Sequence, residues 1–108
     1  METTITNHKD WKAVKNAEYN PLLALKLKSV NSAVFFTNCL HHHLEENLKP
    51  DNTVIRTIAS IQFETALSRY EQETAIKKLK KCELLDYTLE GLPSVRHFKI
   101  NFNKLAIF

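Results

Sequence analysis

The hydrophobic side chains between residues 31 and 48 recur every three or four positions, which is the period of an α-helix with one buried face. This pattern predicts a long helix that Asn31 or Ser32 caps and that ends before Pro50. The inward positions of this helix are expected to be Val34, Phe35, Phe36, Cys39, Leu40, Leu44 and Leu48.

A shorter helix is predicted just before it. Asn20 can accept a hydrogen bond from a free amide at a helix start, and Pro21 suits the first helical position. The leucines expected in this largely buried helix are Leu22, Leu23, Leu25 and Leu27. Residues 1–19 are mostly polar and are expected to form a partly ordered arm that Trp11 anchors, ahead of one domain over residues 20–108.

The second half of the chain opens with a short β-branched stretch over residues 53–57, which predicts a strand, and continues with a short helix over 58–65. Ser68 and Glu71 have the spacing of a capping box, which predicts a helix that runs to about Lys81. Its inward stripe is expected at Ala75, Ile76, Leu79 and Cys82. In the 58–65 helix the inward residues are expected to be Ile58, Ile61 and Phe63.

A β-hairpin is predicted from two stretches with strand character, over residues 84–89 and 95–100, with turn residues between them. Alternation along the second run puts two pairs on opposite faces: Phe98 and Ile100 on one, His97 and Lys99 on the other. The tail over 101–108 is apolar at its end, so we expect it to pack on the body or on a partner chain.

Composition favours an α+β fold that is mostly helical. The 108 residues include one glycine and three prolines, whereas all-β folds need many glycine-rich turns. A hydrophobic fraction of 44% and a charged fraction of 25% are ordinary for a globular domain, which argues against disorder and against a disulfide scaffold.

The same composition predicts a cytoplasmic protein. No apolar run exceeds four residues, so no membrane span is expected, and residues 1–4 lack the basic and apolar regions of a signal peptide. The two cysteines, Cys39 and Cys82, form no CxxC motif, so we expect reduced, unbridged thiols.

The predicted order of elements is typical of a winged helix-turn-helix with extra N-terminal helices. In that fold the second helix of the pair enters the major groove, its first free amides bind a phosphate, and a basic hairpin lies on the DNA backbone. The net charge of +3 says little by itself, but lysines cluster at residues 77–81, and residues 91–108 hold three cations and no acid.

A family resemblance is carried by residues 67–72, 75–79, 84–85 and 91–101, with 20–23 and 31–35 as lead-in helices. These stretches resemble the winged-helix domain of phage and mobile-element replication initiators, which include DnaD-like and replisome-organiser proteins. The resemblance implies double-stranded DNA binding in replication or its regulation. Since such initiators continue into a further domain, we expect here a small regulator, a replication accessory factor or an adaptor.

Two positions where such domains usually have glycine hold Ala66 and Glu83. If Glu83 takes a left-handed backbone, the strain is about 1 kcal/mol.

The predicted DNA-binding residues face outward on the capped helix or lie on the hairpin. On the helix they are Ser68, Arg69, Tyr70, Thr74, Lys77, Lys78 and Lys81, and on the hairpin Ser94, Arg96, His97 and Lys99. Arg69 would pair with guanine, Thr74 would bind a phosphate or a base, and the lysines would neutralise phosphates. The alternative is a solvated surface with ion pairs such as Glu73 to Lys77.

A different class of function is a protein-interaction module on the same fold, such as a phage-encoded inhibitor of a host defence or replication enzyme. The acids Glu71 and Glu73 and the apolar tail favour this alternative. A homodimer through the long helix or the tail is compatible with either function.

Neither an enzyme nor a cofactor protein is predicted. The chain has no Gly-rich phosphate loop, no HExxH motif and no nucleophile signature. The run at residues 41–43 is three histidines, which point about 100° apart on a helix and so cannot share one metal. Cys39 and His43 would supply half a zinc site, so no metal is expected.

Overall fold

The computed structural model describes residues 19–46, 53–91 and 95–108. Within them the helices are α1 (Pro21–Leu27), α2 (Val30–Glu46), α3 (Ile58–Thr65), α4 (Arg69–Lys81) and α5 (Phe102–Ile107), and the strands are β1 (Thr53–Ile55), β2 (Leu85–Glu90) and β3 (Val95–Ile100). About 63% of this part is helical, which confirms a mostly helical α+β fold. The predicted arm with Trp11, the predicted helix end near Pro50 and the site residue Ser94 lie outside the described residues.

The strands form an antiparallel sheet in the order β1-β3-β2, with β3 in the centre. The β2–β3 pair is the predicted hairpin, and β1 adds a third strand on the other side of β3, with Val54 opposite Phe98. The inner face of the sheet packs on α2, where the Phe35 ring meets Phe98 edge-on with 5.5 Å between centroids. This aromatic pair joins the sheet and the helices in one core.

Helix α2 begins at Val30, earlier than the predicted caps, because the Ser29 hydroxyl accepts a hydrogen bond from the Ser32 amide (3.1 Å). Its buried face is also wider than the apolar pattern predicts. Leu44 is 63% exposed, so its predicted inward position is wrong, whereas the polar Asn38 and His43 are buried.

Two other predictions of burial are wrong. Helix α1 starts at Pro21 with the Asn20 side chain as its cap, as predicted, but Leu22 and Leu25 are exposed. Ala24 and Leu27 are its buried residues. In α3 Phe63 is exposed while Ile61 is fully buried, because a helix of two turns packs only a narrow stripe against the core.

The C-terminal tail packs on the body of the protein, one of the two arrangements expected. Residues 102–107 form α5, and the Asn101 side chain just before this helix caps it by accepting a hydrogen bond from the Lys104 amide. Phe102, Leu105 and Phe108 lie against the core, and Ile107 remains exposed.

Both cysteines are free, as expected. Burial raises the pKa of the Cys39 thiol to about 12, although the charges of Arg56 and Arg96 oppose the rise. Cys82 is half-buried at the end of α4. In the part of the chain that the structure describes, no helix is both long and apolar enough to cross a bilayer.

Glu64 at the end of α3 joins three elements through one oxygen. Its Oε1 accepts hydrogen bonds from Asn38 Nδ2 (2.9 Å), His42 Nε2 (2.8 Å) and Arg56 Nη2 (2.8 Å). Partial burial acts to raise the pKa of Glu64, but these hydrogen bonds and the Arg56 charge outweigh it and hold the pKa below its usual value. The ionised carboxylate therefore ties α3 to α2 and to the residue after β1.

Replacing Glu64 with glutamine (Glu64→Gln) is expected to lower the free energy of unfolding at pH 7 by about 1–2 kcal/mol, since charged hydrogen bonds to Asn38 and Arg56 are lost. The folded pKa is depressed, so this stability is present above the unfolded pKa of about 4.3 and is lost as pH falls through the folded pKa. Urea titrations at several pH values should show the two proteins converging in acid. Glu73→Gln, on an exposed carboxylate, is the control; an equal pH dependence there would contradict the assignment.

Two non-glycine residues next to α4 adopt left-handed backbone conformations. Ala66 has φ 67° and Glu83 has φ 64°, so the left-handed backbone considered for Glu83 is confirmed. Ala66 is the C-cap of α3, and its amide donates to the Gln62 carbonyl (2.8 Å). Each such residue costs about 1 kcal/mol of strain because its Cβ crowds the backbone.

Ala66→Gly is expected to raise the free energy of unfolding by about 1 kcal/mol, because glycine takes this backbone without the Cβ clash. Ala66 is exposed, so no packing is lost. Thermal and urea unfolding measure the change. The matched control is Ala59→Gly, at an exposed position within α3, which should not raise the free energy of unfolding. A gain of similar size there would contradict the explanation by local strain.

Candidate nucleic-acid interface

Helices α3 and α4 are joined by residues 66–68, and the predicted capping box opens α4. The Glu71 amide donates to Ser68 Oγ (3.2 Å), and the Ser68 amide donates to Glu71 Oε1 (2.8 Å). Ser68 is therefore half-buried and spent on the cap, and the Glu71 carboxylate occupies the helix start. The sequence predicts that the first amides of this helix bind a phosphate. The Glu71 carboxylate lies at that position and would repel it.

The outer face of α4 is set by the position of its buried stripe. The buried residues of the helix are Gln72, Ala75, Ile76 and Leu79. Opposite them, at spacings of four, three and four, lie Tyr70, Thr74, Lys77 and Lys81, all of them exposed. We call these four residues the α4 face. Lys78 is half-buried at its margin.

The two acids of α4 are each held by a partner, although Glu73 borders the α4 face, one turn from Tyr70 and from Lys77. Glu71 belongs to the cap, and Glu73 Oε2 accepts from Arg69 Nε at 3.2 Å on the edge of the helix. The ion pair is thus Arg69 with Glu73 rather than the Glu73–Lys77 pair considered from the sequence. Arg69 is exposed, but its charge is balanced by a neighbouring carboxylate.

Arg96 is not on the surface. The prediction that it joins the basic rim of the hairpin is wrong, because it is only 9% exposed and lies on the inner face of β3 with Phe98 and Ile100. Its Nη2 donates to Gln72 Oε1 (2.9 Å), and its guanidinium lies over the Phe98 ring, 5.2 Å from the centroid. This burial lowers the pKa of Arg96.

Of the other predicted hairpin residues, His97 and Lys99 lie on the opposite face of the sheet from Arg96, and Ser94 is outside the described residues. His97 is half-buried and pairs in register with Thr88, and Lys99 is exposed and pairs with Asp86. A carboxylate thus stands opposite Lys99. The structure brings four of the seven predicted helix residues together on the α4 face, places Ser68, Arg69 and Lys78 in the cap or at the margins, and does not add Arg96.

Gln72 is a residue that sequence reasoning missed. It is fully buried, its Nε2 donates to the carbonyls of Leu67 (2.9 Å) and Ile58 (3.1 Å), and its Oε1 accepts from Arg96. One side chain therefore links α3, the connector, α4 and β3. Its burial could be predicted from its spacing, because Gln72 lies on the same helix face as the inward residues Ile76 and Leu79. A polar side chain at such a position needs buried hydrogen-bond partners.

Within the described ranges, no group of three or more His, Cys, Asp and Glu side chains could hold a metal ion. His43 packs against the Phe102 ring, 5.3 Å between centroids, and Cys39 lies in the core. Both residues considered for half a zinc site are thus packing residues of α2.

No family model, curated protein or solved structure matches this chain. The function proposed below therefore depends on the residues and geometry of the chain itself.

Gln72→Met is expected to destabilise the protein by about 3 kcal/mol, because it leaves the buried Arg96 cation and two backbone carbonyls without their partner. The free energy of unfolding from urea titration measures the loss. Gln62→Met, an exposed glutamine of α3, is the control and should change stability by less than about 0.5 kcal/mol. Similar losses at both sites would show that the Gln72 hydrogen bonds do not carry the packing of α4.

Proposed function

We propose that the chain is a winged helix-turn-helix protein that binds double-stranded DNA with the α4 face in the major groove. The observation that carries this proposal is that the α4 face holds two lysines, a threonine and a tyrosine, while Glu73, the carboxylate at its border, is paired with Arg69. The α2–β1–α3–α4–β2–β3 order, with β1 paired to the far side of the hairpin, supports the choice of fold.

The chemistry of the α4 face suits a duplex. Lys77 and Lys81 would neutralise phosphates and gain affinity from the release of counterions. The hydroxyls of Tyr70 and Thr74 can donate to phosphate oxygens or bind base edges, and an α-helix has the width of the major groove. Such an interface suits a small regulator or a replication accessory factor.

Fewer hairpin residues contact DNA in this proposal than the sequence predicts. Arg96 holds β3 to α4 through Gln72, so in this proposal it positions α4 and is not part of an exposed basic surface on the hairpin. Lys99 and His97 stay as candidate contacts to the backbone, with the Asp86 carboxylate reducing the pull of Lys99.

The second candidate is a protein-interaction module, which exposed apolar side chains favour. Leu22, Leu25 and Ile107 are largely exposed on α1 and α5. Beside them an apolar groove is lined by Leu23, Leu40, Leu105 and Phe108 among others. A partner protein or a second copy of this chain would use this surface and leave the α4 face free.

The double substitution Lys77→Gln and Lys81→Gln is expected to weaken duplex binding by at least about tenfold at 0.1 M salt. It should also reduce the slope of log affinity against log salt by about 2, one for each lost phosphate contact. Fluorescence anisotropy with a mixed-sequence duplex at several salt concentrations measures both quantities.

The matched control removes two lysines elsewhere, with Lys26→Gln and Lys28→Gln in and after α1. At 0.1 M salt, charges beyond about 10 Å are screened, so this control should retain its affinity to within about twofold. Equal losses in the two double variants would mean a response to net charge alone. No duplex binding at low salt would reject the proposal and favour the protein-interaction module.

A further inference from the structure

Arg96 is a buried cation without a counterion among the described residues. Within the described part of the chain, its guanidinium makes one hydrogen bond, to the neutral Gln72 side chain, and its Nε is buried with no partner. The other buried arginine, Arg56, differs because it pairs with the Glu64 carboxylate at 2.8 Å. A buried charge is costly unless an anion or several hydrogen bonds compensate it. The site around Arg96 is therefore short of one negative charge.

A cavity of about 290 Å³ lies beside this guanidinium, between α4 and the hairpin. Arg96, Arg69 and Glu73 are its charged lining residues, and Leu89 and Val95 border it on the hairpin. Since a water molecule takes about 30 Å³, the volume holds a tetrahedral oxyanion with several waters. The Glu73 charge favours the charged form of Arg96 as well, but Glu73 is ion-paired with Arg69, so the three charged lining residues together leave one positive charge.

We propose that this cavity is a binding site for a phosphate group, with the Arg96 guanidinium as the principal donor. Arginine presents five N–H donors in a planar fork that fits phosphate oxygens, and here Gln72 fixes the fork from one side. That the phosphate belongs to the DNA backbone rests on the function proposed above, since the cavity lies where α4 meets the hairpin. The anion site itself does not rest on that function.

Leu89 offers a way to fill the site without disturbing the core. It is 60% exposed and stands directly opposite Arg96 in the β2–β3 pair, so its side chain shares a sheet face with the guanidinium. Leu89→Glu would place a carboxylate beside Arg96 and replace the anion. The matched control is Leu22→Glu on α1, at a leucine that is also 60% exposed and does not line the cavity.

The test is thermal unfolding with inorganic phosphate as the probe, against chloride at the same ionic strength. The unchanged protein and Leu22→Glu should show a rise in melting temperature that follows ln(1 + [phosphate]/Kd), about 5 °C or more at ten times the dissociation constant. Leu89→Glu should lose this logarithmic rise. The general salting effect of phosphate grows in proportion to concentration and is equal in all three proteins. In nuclear magnetic resonance spectra, the Arg96 Nε–H signal should shift along the same binding curve.

The proposal is overturned if phosphate and chloride give the same melting temperature, or if Leu89→Glu gains as much from phosphate as Leu22→Glu. Anisotropy with a labelled duplex then separates the sources of the phosphate group. Competition between inorganic phosphate and the duplex, absent in Leu89→Glu, assigns the site to a DNA phosphate. Simultaneous binding assigns it to a free phosphorylated compound.

The same measurements separate a failure of this site from a failure of the proposed function. A protein that binds duplex but responds to phosphate no more than to chloride keeps its DNA-binding function and lacks the site. A protein that binds phosphate at Arg96 but binds no duplex has the site and is not a DNA-binding protein.

Discussion

The buried hydrogen bond between the Arg96 guanidinium and the Gln72 side chain (2.9 Å) fixes where the outer face of α4 points. Gln72 also donates to the Ile58 and Leu67 carbonyls, so it ties the start of α3, the connector and α4 to β3. Helix propensity and apolar burial allow α4 to rotate or slide by small amounts. A directed polar bond at its buried side removes that freedom, which a surface that must fit a ligand requires.

Helix α3 depends on polar contacts for a related reason. Ile61 is its fully buried apolar residue, which is too little burial to orient eight residues. The Glu64 carboxylate supplies the missing constraint by accepting from α2 and from Arg56 after β1. The two polar centres, at Glu64 and Gln72, thus hold α3 and α4 from opposite ends of the connector. Each contains a buried arginine, and only the one at Glu64 is paired with a carboxylate.

The sequence predicts what depends on near neighbours and fails where the partner is distant. The Ser68–Glu71 cap and the inward stripe with Leu79 follow from spacings of three and four residues. Arg96 and Gln72 are 24 residues apart, and a hydrophobicity pattern treats both as outward because both are polar. For Arg96 the signal was present, since strand alternation places it with Phe98 on the inner face. The prediction of a surface arginine follows from its charge alone, and it is wrong because the buried Gln72 side chain gives the guanidinium a partner on the inner face.

The inner side of α4 packs against the core and its outer side is available for binding, and the two sides meet along the edge beside the hairpin. Its inner side carries the packing and the Gln72 bonds, whereas Lys77 and Lys81 contribute nothing to the core and are free to bind an anion. At the edge beside the hairpin, Arg69 is exposed and compensated by Glu73, while Arg96 is buried and uncompensated. An anion bound there would offset the free-energy cost of burying Arg96, and it would contact both a buried residue, Arg96, and an exposed one, Arg69. Substitutions at this edge should therefore change stability and ligand binding together, whereas substitutions of Lys77 and Lys81 should change ligand binding with little effect on the free energy of unfolding.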